Sequence, residues 1–274
     1  MSGERIEMQI KYRRAERQDL IQIVQLIKEA FPPHYIEMMI WGCDGIEKYL
    51  ADIIDLGHEL CDISNYVATV GDRVVCITQM KRNPAARQLC LNYIGTHAGY
   101  RKNNIASKLL LHSIANEENL FENIILDVFI DNEIAKKWYS DLGFHSVLKK
   151  QWVIAENKIL YPRIGYISGM PQSDRCFREY NFSQMTLITD LKAYSVGLLG
   201  KNYFRISDPI IFKDLMALST LAKFAPNRKI LLIAESPLTQ DMHVPFINIT
   251  ATVQMSMGIM ALIQNVQNKL IVKE

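Results

Sequence analysis

The sequence predicts an α/β chain, more closely α+β, with a mixed, mostly antiparallel sheet flanked by helices and a second, smaller α/β domain. Three features predict this. Short apolar runs with a period of two alternate with longer ones that repeat every three or four residues. In the first part of the chain they fall in the order strand, helices, three strands, helix, strand, helix, strand. Spacing and charge pattern then change near Ala155–Tyr161, which divides the 274 residues into 1–155 and 156–274, both of ordinary domain size.

Ile10–Arg14 alternates and is predicted as a strand. Leu20, Ile23, Val24, Ile27 and Phe31 share a helical face, with Asp19 as the expected N-cap and Pro32-Pro33 as the stop. Met38–Asp55 predicts one or two helices, interrupted near Gly42 and Gly45. Tyr66–Val70 and Arg73–Met80 flank Gly71-Asp72, a hairpin signal. Gln88–Thr96 follows as a strand, Ile105–Asn116 as a helix and Ile124–Phe129 as a short strand. Glu133–Leu142 predicts a helix closed by Gly143, and Ser146–Val153 the last strand of this unit. Beyond the boundary, Tyr161–Pro171 is irregular. Met185–Leu191 and Tyr194–Leu199 form an expected hairpin, and Asp208-Pro209 opens a helix to about Leu221. Lys229–Ala234 and Pro245–Thr252 are expected strands, and Met255–Leu270 a closing helix. No short-period repeat or low-complexity tract is present.

Composition narrows the function classes. Hydrophobic residues make up 49% and charged residues 22% of the chain, enough apolar surface for a sizeable core. A net charge of +2 argues against nucleic acid as the main partner. Met1–Gln9 is polar, carries Glu4, Arg5 and Glu7, and lacks the apolar centre of a signal peptide. No apolar run reaches membrane-spanning length, so the expected location is cytoplasmic, with no membrane partner. The five cysteines are scattered without a CxxC pair, which predicts no disulfide framework and no metal site. Buried, reduced thiols are expected instead.

Two stretches carry chemistry. The first, Ile94 to Leu110, passes from a strand through small and polar residues into an apolar-faced helix. Backbone N–H groups at such a helix start form an anion site, and Lys102 and Lys108 add positive charge. The second, Asp127 to Phe144, places Asn132 as the cap of a helix on which Ala135 and Tyr139 share a face.

Together these stretches resemble the cofactor-binding core of the Gcn5-related N-acetyltransferases, the GNAT superfamily, over about Ile10 to Val153. Arg101-Lys102-Asn103-Asn104-Ile105-Ala106 is similar to that family's pyrophosphate signature: Gln or Arg, two residues, Gly, one residue, Gly or Ala. Asn132, Ala135, Trp138, Tyr139, Gly143 and Phe144 fill every position of its Asn-x-x-Ala-x-x-aromatic-Tyr-x-x-x-Gly-Phe pattern. The first motif is weak alone; the second, at the right distance downstream, makes the pair specific. One position departs: the family usually has Gly where this chain has Asn104. Asn tolerates left-handed backbone, so the turn is expected to survive with its side chain near the diphosphate.

The resemblance implies acetyl-CoA as cosubstrate, with no metal. Ile94, Gly95 and Thr96 would lie along the pantetheine arm through backbone groups. Arg101, Lys102, Asn103, Asn104, Ile105, Ala106 and Ser107 would cradle the pyrophosphate, and Asn132 would touch the pantetheine. Tyr139 is implied as the general acid that protonates the leaving CoA thiolate, since tyrosine keeps its proton at neutral pH. Asp127 stands where some members carry a carboxylate base; with an ordinary pKa near ~3.9 it would need a raised pKa or a relay water. His97 is expected to be structural. The acceptor is an amine, on a small molecule or a protein, received by Phe31 to Ile54. There Phe31, Tyr35, Met38, Met39, Trp41 and Tyr49 lie among Glu37, Asp44 and Glu47. Two amphipathic helices covering a core account equally well for that segment.

The rival reading is a catalytically silent acyl-CoA-binding sensor or interaction module. Residues 156–274 resemble the extra domains some acetyltransferases carry, sometimes degenerate copies of the same fold. Structural cover is the expected role there; completion of the acceptor pocket, a homodimer contact and regulation are the alternatives.

Overall fold

A computed structural model describes residues 9–117, 120–235, 237–238 and 242–271. The polar start Met1–Gln9, apart from Gln9, and the last three residues of the second region lie outside the described residues.

The first part contains β1 (Ile10–Arg14), α1 (Leu20–Ala30), α2 (Pro33–Ile36), α3 (Ile46–Leu56), β2 (Ile63–Val70), β3 (Arg73–Asn83), β4 (Gln88–Thr96), α4 (Ile105–Ala115), β5 (Asn123–Phe129), α5 (Glu133–Leu142) and β6 (His145–Ala155). The second contains β7 (Tyr166–Ser168), α6 (Met170–Tyr180), β8 (Phe182–Ile188), β9 (Ala193–Leu199), β10 (Tyr203–Ile206), α7 (Leu215–Phe224), β11 (Lys229–Glu235), β12 (Phe246–Gly258) and α8 (Ile259–Ile271). Among the described residues the strands form one twelve-stranded sheet, ordered β1-β2-β3-β4-β5-β12-β6-β11-β10-β9-β8-β7. Only β4 with β5 and β10 with β11 run parallel, each pair joined by a helical crossover.

The last strand does not stay with its neighbours in sequence. β12 lies between β5 and β6, antiparallel to both, in register from Thr252↔Phe129 to Gly258↔Asn123. Met255 and Met257 point into the core under α4 and α5, and α8 continues it with Leu262 and Val266. The other face of the sheet carries α1 to α3, whose core takes in Leu199 and Leu231 from the second half. A third core surrounds α7. The halves also touch through helices: a Cβ on Gly45 would lie 2.3 Å from Tyr180 Cα, so only glycine admits α6 there.

Several expectations are corrected. Asp19 does not cap α1 with its side chain. Its carboxylate takes both terminal nitrogens of Arg13, at 2.6 and 2.9 Å, and the Glu16 N–H at 2.8 Å. The closing helix starts at Ile259, because Met255 and Met257 alternate inward as strand residues. The segment from Asp208 is a 3-10 turn, Pro209–Lys213, followed by α7, which Asp214 caps by accepting from Ala217 N. Helix α6 falls where no helix was expected; only Ser173 on it is fully buried, so it lacks a strong apolar stripe. Strands β7 and β10, of three and four residues, were too short to show a period. The cysteines are free, but only Cys43 and Cys76 are buried, and Cys176 is exposed.

Cutting the chain after Ala155 removes β12 and leaves facing edges of β5 and β6 unpaired. Residues 1–155 are expected to show no cooperative melting by circular dichroism. Refusing residues 244–271 through a flexible linker should restore it; a truncated chain that melts like the whole protein would contradict this topology.

Candidate active site

β4 pairs with β3 along its length, but with β5 for four residues only, Gln88–Leu91 against Asn123–Leu126. The break has a local cause. Gln79 faces Tyr93 and Met80 faces Leu91, so Asn92 is the extra residue of a β-bulge. Past it, Tyr93–Thr96 follow β3 while Asp127–Phe129 follow β12. The two parallel strands fork, and no ladder bonds join them beyond Leu91 and Leu126. Sequence reading missed this fork. Its trace is a change of phase: Leu89 and Leu91 enter the α4 core, and the next β4 side chain on that core is Ile94, three residues on.

Ile94, Gly95 and Thr96 form the β4 arm of the fork. The chain then turns into α4. Tyr100 N bonds His97 O, and His97 Nδ1 accepts from Gly99 N while its Nε2 meets Arg73 at 2.8 Å. His97 is thus held as a structural residue. Arg101 returns its Nε to Thr96 O. Lys102 (φ 66°) and Asn104 (φ 57°) are both left-handed, an uncommon state for residues other than glycine. Alternating backbone of this kind directs successive N–H groups to one side, as in anion-binding nests. Arg101, Lys102 and Asn103 are exposed, Ile105 is buried in the core, and Ala106 and Ser107 begin α4 half-buried.

Helix α5 stands on the same face as α4. Asn132 caps it, its Oδ1 accepting from Ala135 N at 3.1 Å, and Gly143 (φ 103°) ends it. The chain's far end secures that terminus: Asn265 Nδ2 donates to Leu142 O at 3.0 Å, and Lys269 donates to Asp141 O. Tyr139 is 6% exposed and packs between Trp138 and Phe144 in the core that Ile94 and Ala106 also line. Its hydroxyl makes no hydrogen bond to any described residue, and burial pushes its pKa up, so the phenol keeps its proton.

Asp127 lies on the opposite face, one residue past the last β4–β5 rung. Lys150 Nζ holds both carboxylate oxygens, at 2.9 and 3.1 Å, and the carboxylate is 41% exposed. Of the residues expected to receive an acceptor, Tyr35, Met38, Met39 and Trp41 are buried core. Tyr35 stacks flat on Phe129 at 3.9 Å and donates to Asp131 at 2.6 Å. Phe31 meets Tyr93 and Phe129 edge-on, and Tyr49 packs against Tyr180 and Phe182 of the second half. This aromatic layer packs α1 to α3 on the sheet beside the fork, because shared burial of apolar surface is favourable.

With this geometry in hand, likeness to known proteins is specific. Residues 22–144 match the model of the acetyltransferase (GNAT) family. Over 107 residues the chain is 29% identical to N-alpha-acetyltransferase 50 of Danio rerio, covering 38% of this chain and 62% of that protein. Two solved structures follow most of the fold. A tandem GNAT protein from the clavulanic acid biosynthesis pathway aligns with 91% of this chain and 98% of its own at 13% identity, TM-score 0.61. A GCN5-related N-acetyltransferase from Sphaerobacter thermophilus aligns with 91% of this chain and 95% of its own at 11% identity, TM-score 0.59. The forked parallel pair, the strained turn into α4 and the capped α5 all fall within residues 22–144, the segment that matches the model of the acetyltransferase (GNAT) family.

Proposed function

We propose that the chain is an N-acetyltransferase that moves an acetyl group from acetyl-CoA to a primary amine by direct attack. The observation that carries this reading is the fork. It opens between two strands whose inner edges carry no ladder bonds, and it points toward a left-handed turn suited to a diphosphate. Ile94, Gly95 and Thr96 would pair with the pantetheine amides, as a strand pairs with its neighbour. Arg101 to Ser107 would hold the pyrophosphate, mostly by backbone N–H groups. Asn132, already spent as a helix cap through its oxygen, would lie along the arm.

In the reaction the neutral amine attacks the thioester carbonyl, a C–N bond forms, and the C–S bond breaks. Tyr139 hydrogen-bonds the departing sulfur and gives it a proton; the new amide nitrogen sheds one proton to water, and water returns one to the phenolate. The burial that raises the phenol pKa would also raise that of a thiol in the same place, which favours the protonated thiol as the leaving form. Asp127, held by Lys150, draws the incoming ammonium and passes its proton to water. Most of the acceleration would come from holding thioester and amine together. The name of the zebrafish relative places its own activity on α-amines, which makes an α-amine one acceptor to try.

The same reading covers the second region. Its β10–α7–β11 crossover repeats the β4–α4–β5 arrangement, but β10 ends with its four parallel rungs and leaves no fork. At the start of α7 a carboxylate already sits where a phosphate would: Asp214 accepts from Ala217 N, Thr189 Oγ1 and Tyr194 OH. Residues 156–274 are then a degenerate copy serving as cover, with β12 and α8 lent to the first unit.

Two measurements test this. In a thiol-release assay over a panel of amines, Tyr139→Phe should lower kcat by about 10²-fold or more with acetyl-CoA affinity little changed. Unchanged turnover would remove Tyr139 as the acid, and CoA binding without turnover on any amine would favour the silent sensor. In calorimetry, one CoA should bind per chain. Asn104→Gly should bind as well or better, whereas Asn104→Val should lose about 10-fold, since a β-branched residue costs about 1–2 kcal/mol in left-handed backbone. Equal affinities in all three would detach the turn from the cofactor.

A further inference from the structure

The bulge residue that opens the fork is also the outer link of a chain of amides. Asn92 Nδ2 donates to Gln79 Oε1 at 3.4 Å, and Gln79 Nε2 donates to Asn65 Oδ1 at 2.9 Å. Gln79 is 1% exposed and Asn65 7%, while Asn92 is open to solvent. Asn65 Nδ2, at the inner end, is buried with no partner among the described residues. A bulge needs no such chain; apolar side chains would fill the same layer between Ile77 and Val67 without the cost of burying amides. What the chain does supply is direction. Each amide gives its NH2 inward, so the oxygen of Asn92 is left without a partner among the described residues, at the base of the fork one residue past the last β4–β5 rung.

The facing strand presents its counterpart. Asp127 is likewise one residue past the last rung, with Lys150 fixing its carboxylate. Both lie on the α1–α3 face of the sheet. Gln79, which holds Asn92, is two residues from Ile77, and Asp127 is two from Phe129; Ile77 and Phe129 both belong to the core of that face. An amine reaching the fork from this side meets one neutral and one charged acceptor.

We infer that Asn92 orients the acceptor amine: its Oδ1 takes one N–H while Asp127 draws the charge, and Gln79 and Asn65 are the positioning residues behind it. The acceptor class is the primary amine of the proposed reaction, which meets the Asp127–Lys150 pair beside Asn92. This rests on the acetyltransferase reading, and the experiment separates the two.

Steady-state kinetics with spermidine and a methionine-initiated tetrapeptide amide are run on the full chain, beside calorimetry with CoA. Asn92→Leu and Gln79→Leu should raise KM for the better amine by about 10-fold, the effect of losing one hydrogen bond to a charged group, with kcat within about threefold. Affinity for CoA should be unchanged. Gln79→Glu should restore KM, because its carboxylate can accept from Asn92 and from the orphaned Asn65 Nδ2. Loss of CoA affinity in step with KM would make Asn92 a mere support of the fork and overturn the inference, as would unchanged KM. An NMR titration of the side-chain amides, with CoA and spermidine or the tetrapeptide amide, needs no turnover. Shifts at Asn92 and Gln79 in an inactive protein would keep the inference while the catalytic reading falls; turnover with KM and amide signals unmoved would do the reverse.

Discussion

A parallel strand pair ordinarily runs on until one strand ends. In this chain β4 and β5 part after four rungs while both strands continue, and everything else in the candidate site depends on that parting. It costs hydrogen bonds on two strands, so something must hold the arms apart. On one side the extra residue Asn92 re-aims β4 along β3. On the other, β12 gives the opposite edge of β5 a full antiparallel ladder, which holds that strand in the sheet where its β4-facing edge is bare. Neither device alone makes a fork: the bulge without β12 would leave β5 with two bare edges.

This explains why a strand from the end of the chain is needed in the middle of the sheet. Residues 246–271 complete the core beneath α4 and α5, and through Asn265 and Lys269 they bond the last carbonyls of the helix that carries Tyr139. The second half thereby secures the C-terminal end of the helix that carries the phenol. Its cost to the protein is a long-range pairing that forms late, since closing so large a loop precedes any reward.

Much of the local structure was legible because local rules decide it. The Gly71 hairpin, the Asn132 cap, the Gly143 stop and the apolar faces of α4 and α5 depend on neighbours within a few residues. The left-handed state of Asn104 was legible too, from a glycine position filled by one of the few residues that accept it. The fork was not, because a bulge shows only as a phase change spread over Leu91 to Ile94. The place of β12 was not either: a strand with alternating Met255 and Met257 fits any sheet, and nothing local names its partners. The aromatic segment from Phe31 to Tyr49 fitted either an acceptor pocket or helices covering a core, and Tyr35, Met38, Met39 and Trp41 are core; composition alone does not say which way an aromatic faces.

The most direct test is amide hydrogen exchange of the full chain with and without CoA. Slowed exchange should be confined to Tyr93–Thr96, Arg101–Ser107 and the first turn of α5, with the β10–α7 junction unaffected. Protection centred on that junction, or none at the fork with saturating CoA, would contradict a cofactor cleft built by the parting of β4 and β5.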